Sequence, residues 1–184
     1  MKISHGPLDE VTPQREGTIL VKRFVDEREP EQKPYIGNKR NGFGMVLGHV
    51  AALEGVEIES RLAEYFAEAL RQAGYEAIVA DPQAATGSDG VHYDAVLEGR
   101  IQTFWLDLYM AVWHKVAVNL SLLDQDSQRV LWEGDVEGSE ANTLWIGATA
   151  EFEKVVRQAM TQALNRAATE FASEDFYQSV RGAR

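Results

Sequence analysis

Phe104-Trp-Leu-Asp-Leu-Tyr-Met-Ala-Val-Trp113 is an almost uncharged apolar segment inside a longer alternating stretch, Asp94 to Val136, and its reading decides the fold. Upstream of it, Ala95, Leu97, Gly99 and Ile101 share one face of an extended chain while Glu98, Arg100 and Gln102 share the other, the two-residue period of a half-buried strand. After Thr103 the apolar phase slips by one, to Phe104, Leu106, Leu108 and Met110, and such a slip requires a bulge or a bend. Downstream, Val116, Val118, Leu120 and Leu122 form the inner face of a second strand. Asp124-Gln-Asp-Ser-Gln128 supplies turn residues, and Val130, Trp132, Gly134 and Val136 alternate with polar neighbours on a third strand. The stretch predicts three consecutive antiparallel strands, followed by a loop from Gly138 to Gly147 in which Leu144-Trp145-Ile146 forms an apolar knot.

Two helices flank this meander. Ile58, Leu62, Tyr65, Phe66, Ala69, Leu70 and Ala73 recur at helical spacing with Glu59, Arg61, Glu64, Glu68 and Arg71 opposite them. Glu57 and Glu59 suit the positive end of that helix, and Gly74 stands where a left-handed C-terminal cap belongs. A second helix begins near Thr149 and carries Phe152, Val155, Val156, Ala159, Ala163, Leu164, Ala167 and Phe171 on one stripe, with Phe176 and Tyr177 anchoring the tail. Before the first helix, Thr18 to Val25 reads as a strand and Asp26 to Asn41 as a long solvent-facing loop. Met45 to Val50 reads as a short strand beside a glycine turn, Tyr75 to Ala80 as another strand, and Ala84 to Gly90 as a loop. The expectation is an α+β fold: a largely antiparallel sheet, including the three-strand meander, with two main helices packed on one face. Residues 1–17, without periodicity, read as a flexible arm or tether, and residues 18–184 as a single α+β domain.

A chain of 184 residues buries roughly 70% of the surface its unfolded form exposes, enough for a core without staples. Eighteen basic against 29 acidic residues give a net charge of −11, which repels phosphate backbones and argues against a nucleic-acid partner. The absence of cysteine removes thiol nucleophiles, cysteine-based zinc sites and disulfides. No run of 18 apolar residues is present, and the first residues lack the apolar core of a leader.

Catalytic patterns do not emerge. His5, His49, His92 and His114 are scattered without metal-ligand spacing, and His114 reads as a sheet residue. Asp124, Asp126 and Asp135 imitate part of a calcium loop, but Arg129 stands where its sharp turn needs glycine. No serine has the G-x-S-x-G surroundings of a nucleophile elbow. Gly42-Phe-Gly-Met-Val-Leu-Gly48 has the wrong spacing for a phosphate loop. The expectation is therefore a protein that is not an enzyme and takes no cofactor.

The segment Phe104 to Trp113 carries the functional expectation. It lacks the Gly or Pro of a tight reversal, although its flanking strands require one. Either a bulged strand stays within the core, or Leu108, Tyr109, Met110 and Trp113 protrude from a hairpin end as a contact surface for a protein partner, a second copy or a membrane surface. An alternative is a small-ligand or lipid carrier whose pocket, between sheet and helices, is lined by Trp105, Trp113, Trp132 and Trp145.

Val25-Asp-Glu-Arg28, Ile36-Gly-Asn-Lys39 with Gly42-Phe-Gly44, Leu70-x-x-x-Gly74-Tyr75, Val130-Leu-Trp132 and a last helix ending before Asp175-Phe176 together resemble the YajG-like family of small bacterial envelope lipoproteins. The resemblance spans roughly Thr18 to Phe176 and implies a fold and a setting, with no active residues. It implies a lipid-anchored protein on the periplasmic side of the cell envelope if a leader and lipid-bearing Cys precede the sequence, with residues 1–17 as the remnant of the tether. A native start at Met1 implies the cytoplasm.

Overall fold

Chain order in the computed structural model, which describes residues 1–12, 14–80, 92–143 and 149–183, is β1 (Thr18–Val21), β2 (Val25–Asp26), β3 (Gly37–Arg40), β4 (Val46–Val50), α1 (Ile58–Gln72), β5 (Glu76–Val79), β6 (Ala95–Leu108), β7 (Ala111–Asp124), β8 (Val130–Thr143), α2 (Thr149–Ala172) and α3 (Glu174–Gly182). The meander is present: β6 pairs antiparallel with β7, and β7 with β8. A register shift between Ile101 and Thr103 sits where the apolar phase slips. That bulge lets Ile101 and Phe104 both face the core, where each is fully buried.

The sheet as a whole is mixed, which corrects the expectation of a largely antiparallel one. The other edge of β6 pairs in succession with β1, β2 and β3, all parallel to it, through Ile19↔Ala95, Val25↔Arg100 and Gly37↔Leu106. β5 is parallel to β1, and β4 is antiparallel to β3. Alternation reports which side chains face the core and is blind to strand direction. Direction is set by the connections: α1 carries the chain back along the sheet, so that β5 runs parallel to β1.

The strand read from Thr18 to Val25 is broken into β1 and β2 because Phe24 turns inward between them. Its ring occupies the space above Gly99, where a Cβ would lie 2.5 Å from the ring carbons. The long loop read from Asp26 to Asn41 holds β2 and β3. Its connecting segment is organised by Arg28, whose side chain is fully buried. Arg28 Nε and Nη2 donate to the two oxygens of Asp26 at 2.9 and 2.8 Å. Nη1 donates to the carbonyls of Tyr35 and Phe104 at 2.8 and 3.1 Å. The Asp26-x-Arg28 motif is thus a clamp that fastens the loop to β6.

α1 buries Leu62, Phe66 and Leu70 completely, and its C-cap residue Ala73 is fully buried too. It ends in a Schellman motif: Gly74 adopts φ +100°, its N–H donates to Arg71, and Tyr75 N–H donates to Leu70 at 3.1 Å. α2 seals the sheet with Val155, Val156, Ala159, Ala163, Leu164, Ala167 and Phe171, all fully buried. A third helix, α3, adds to the two expected. Ser173 caps it by accepting from Phe176 N–H at 3.2 Å, and the Phe176 ring packs 4.9 Å from both Trp132 and Phe171.

β8 extends to Thr143, correcting the loop read from Gly138. Gly138 faces α2 so closely that a Cβ there would strike the Ala159 carbonyl and lie 2.8 Å from the Ala163 nitrogen. A strand position covered by a helix backbone carries no apolar side chain, so the alternation falls silent where burial is tightest. Gly138→Val is expected to cost about 1–3 kcal/mol by overpacking, read as a lowered urea midpoint with unchanged slope. A midpoint equal to wild type would contradict the seating of α2 on this strand.

The described part of residues 1–17 is laid across α1 and α2. Ile3 is buried, its carbonyl accepts from the Tyr65 hydroxyl at 2.9 Å, and the Gly6 N–H donates to the Thr161 hydroxyl at 2.8 Å. The loop read at Ala84 to Gly90 and the knot at Leu144 to Ile146 lie outside the described residues.

Candidate contact surface

The reversal inside Phe104–Trp113 is made by Tyr109 and Met110, between the ends of β6 and β7. Neither has a positive φ; among the described non-glycine residues only Gln128 does. The four residues singled out there divide. Leu108 is 7% exposed and belongs to the core, whereas Tyr109, Met110 and Trp113 are 42%, 68% and 40% exposed. The segment is thus part core and part surface, its inward residues Phe104, Leu106 and Val112 being fully buried.

A second hairpin tip, between β3 and β4, stands beside the first because Lys39 pairs with Leu108 in the parallel β3–β6 register. Asn41 builds this tip, its side-chain oxygen accepting from the N–H groups of Phe43 and Met45 at 3.0 Å each. Gly44 supplies the left-handed residue at φ +83°. Arg40 ties the two tips together: Nε lies 3.0 Å from both Asp107 oxygens, and Nη1 donates to the Gly44 carbonyl at 3.1 Å. The Tyr109 hydroxyl donates to the Gly42 carbonyl at 3.1 Å.

This clamped end presents Phe43, 91% exposed, with Met45 and Leu47, both more than half exposed, next to Tyr109 and Met110. Among the described residues β4 is paired only through β3, and consecutive residues Val46 and Leu47 are both exposed. It is an edge with free backbone groups and apolar side chains, the kind that natural sheets usually guard. Sequence reasoning missed Phe43, Met45 and Leu47 because the glycines around Phe43 read as a turn and Met45 to Val50 as a short strand beside it; the signal was large apolar residues in and next to that turn.

The tryptophans do not converge. Trp105 and Trp113 lie on the outer face of the sheet, beside a groove they share with the segment 27–32. Trp132 is buried on the inner face against Phe171 and Phe176. Trp145 lies outside the described residues. The pocket expected between sheet and helices is therefore not assembled by the three described tryptophans.

Two titratable side chains lie on strands that flank β6, Asp26 on β2 and His114 on β7. The Asp26 carboxyl is pushed up by burial, but the Arg28 hydrogen bonds and charge more than reverse this and hold it below the usual range. His114 is fully buried on the inner face, edge-on to Phe104 at 4.8 Å, and neither ring nitrogen meets hydrogen-bond geometry. Burial brings its pKa down to about 4, offset only in part by the Trp105 backbone. Asp124, which opened the calcium-like pattern, instead shapes the β7–β8 turn, accepting from the N–H groups of Asp126 and Ser127. Among the described residues no three His, Asp or Glu side chains gather as a metal ion requires, and no helix is long and apolar enough to cross a membrane.

No family model matches the chain, and no curated protein matches it in sequence. In three dimensions it is similar to a Xanthomonas campestris protein described under the family model DUF330, with 17% identity and a TM-score of 0.64 over 98% of this chain and 95% of that one. It is similar also to a homolog of neuraminyllactose-binding hemagglutinin from Helicobacter pylori, at 13% identity and a TM-score of 0.51 over 97% and 98% of the two chains. A Neisseria meningitidis lipoprotein aligns more loosely, at 15% identity and a TM-score of 0.40 over 76% of this chain and 92% of that one. The first two share the fold described above.

Proposed function

We propose that this protein is a non-enzymatic accessory protein of the cell envelope that works by protein contact, self-association included, through the apolar end of its sheet. The observation that carries this is the pair of clamped hairpin tips. Exposed Phe43, Met45, Tyr109 and Met110 stand together on a scaffold held by Arg40–Asp107 and by Asn41. Aromatic and methionine side chains are what protein interfaces concentrate. Ordering them in advance lowers the entropy cost of binding.

The envelope setting and the lipid anchor rest on the motif resemblance to YajG-like lipoproteins. The structure gives those motifs a physical meaning: Asp26-x-Arg28 is a clamp, Leu70-x-x-x-Gly74-Tyr75 a helix cap and Trp132 a core residue. They specify a scaffold and leave its use to the exposed tips.

Sedimentation velocity over a range of concentrations tests the reading. The wild-type chain is expected to associate reversibly, and the variant Phe43→Ser/Met110→Ser to remain monomeric with an unchanged far-ultraviolet spectrum. A chain that is monomeric throughout, or an association that the double variant leaves intact, removes self-association through this surface. Fractionation of native cells tests the setting: recovery in the soluble cytoplasmic fraction contradicts it.

A further inference from the structure

On the sheet face away from the helices, Trp105 and Trp113 stand on neighbouring strands, one diagonal step apart. Trp105 lies across from Lys115 and Trp113 across from Asp107. Diagonal neighbours of this kind reach one another when their side chains are long. Yet the ring contacts of the described residues gather around His5, Phe24, Tyr35, Phe104 and Trp132, leaving these two indoles unstacked. Both line an open groove of about 370 Å³ whose opposite wall is the segment 27–32.

Polar groups are set along the same groove. Gln102 is the residue inserted at the bulge between Ile101 and Thr103, and a bulge re-aims a side chain. Its amide donates to Glu27 at 2.7 Å, which fixes it at the rim with its carbonyl oxygen left to accept. Thr103 adds a hydroxyl from the floor, and Gln32 an amide from the wall. The wall itself is rigid, because the buried Arg28 binds it to β6 through the Phe104 carbonyl.

We propose that this groove binds a neutral, β-linked pyranose chain. A pyranose ring has apolar C–H faces that lie flat on an indole and hydroxyls around its edge that need amide, hydroxyl and carboxylate partners. The groove offers both, and the equatorial linkage of a β-linked chain keeps successive rings in one flat ribbon, which suits two indoles standing on one sheet face. Glu27 and Glu29 in the groove, with a net charge of −11, oppose acidic sugars. Aromatic surface on one side only does not make the cage that a quaternary ammonium group requires. Of the tip residues only Trp113 reaches the groove, so the site does not depend on the contact surface proposed above.

Calorimetry and tryptophan fluorescence of the full chain with cellohexaose and with N-acetylated chitohexaose test this. At least one hexasaccharide is expected to bind and change the fluorescence. Trp113→Ala and Gln102→Ala are each expected to weaken binding about tenfold or more, equivalent to about 1.4 kcal/mol per tenfold step. Both variants should keep the wild-type urea midpoint to within the change of a surface substitution, and Phe43→Ser/Met110→Ser should bind as wild type does. Silence with both sugars at millimolar concentration overturns the proposal, as does binding that survives both groove variants. Binding of tetramethylammonium in place of the sugars overturns it in favour of a cation site.

Discussion

Replacing Arg28 by alanine is expected to remove about 3–5 kcal/mol of folding stability, the cost of leaving a buried charge without its partner. The Arg28 side chain is fully buried and that of Asp26 only 9% exposed, so water replaces the lost bonds poorly. Three carbonyls, of Lys33, Tyr35 and Phe104, lose a donor in the same step. An exposed pair such as Arg61–Glu64 contributes about 0–1 kcal/mol by comparison.

The paired variant Asp26→Asn/Arg28→Met removes both charges and is expected to recover part of the loss, since uncharged groups carry a smaller desolvation cost. Urea unfolding at neutral pH checks this. A single variant within 1 kcal/mol of wild type would show that the loop is held by something else. The pH dependence has a defined sign: Asp26 titrates below its ordinary value of 3.8 in the folded chain. Its contribution is therefore present above that value and lost as pH falls through the folded one.

His114 sets a second, higher acid window. Its pKa falls from 6.5 to about 4 on folding. Above the ordinary value both folded and unfolded chains carry a neutral ring, and pH has no effect through this group. Between the two values the unfolded chain takes up a proton that the folded chain refuses, so stability falls as pH falls. The total loss is on the order of 3 kcal/mol, at about 1.4 kcal/mol per unit. The described carboxyls with resolved shifts, Asp26, Asp124, Glu137 and Glu174, are all held below their ordinary values of 3.8 or 4.5. They leave most of this window to the histidine.

The check is urea unfolding from pH 7.5 down to 4.5 for wild type and for His114→Leu. The variant is expected to lose the slope between pH 6.5 and 4.5, and equal slopes in the two proteins would refute the assignment. An acid sensitivity of this size would also tax any function at low pH, because His114 lies on the inner face across from Leu106 and Glu140, close beneath the tips.

How much of this was legible depends on what each signal measures. Val116, Val118, Leu120 and Leu122 are all essentially buried, as a two-residue period requires when one face meets a core. The slip after Thr103 was readable as a bulge for the same reason. Gly74 was readable as a helix cap because only a residue tolerant of positive φ stands there at low cost. Gly99 and Gly138 were not readable in this way. Their missing side chains answer to Phe24 and to α2, partners far away in the sequence.

The candidate surface divides along the same line. Tyr109, Met110 and Trp113 were found because an apolar run without Gly or Pro must still turn. Leu108 was grouped with them although its alternation phase assigns it to the core, where it lies at 7% exposure. Phe43 and Met45 became part of the surface only when β3 paired parallel to β6 and brought a second tip alongside.

By itself the sequence determined, α3 and the last residues of β8 apart, the two main helices, the order of the three meander strands, the bulge and the face of each strand that meets the core. These are local periodicities, enforced by the transfer of apolar side chains from water. Only the tertiary structure decided the parallel pairing of β1, β2 and β3 on β6, the burial of Arg28 and His114, and the meeting of two hairpin tips. Strand direction, distant backbone contact and the company of buried polar groups are properties of chain crossings, and no short window of residues encodes them.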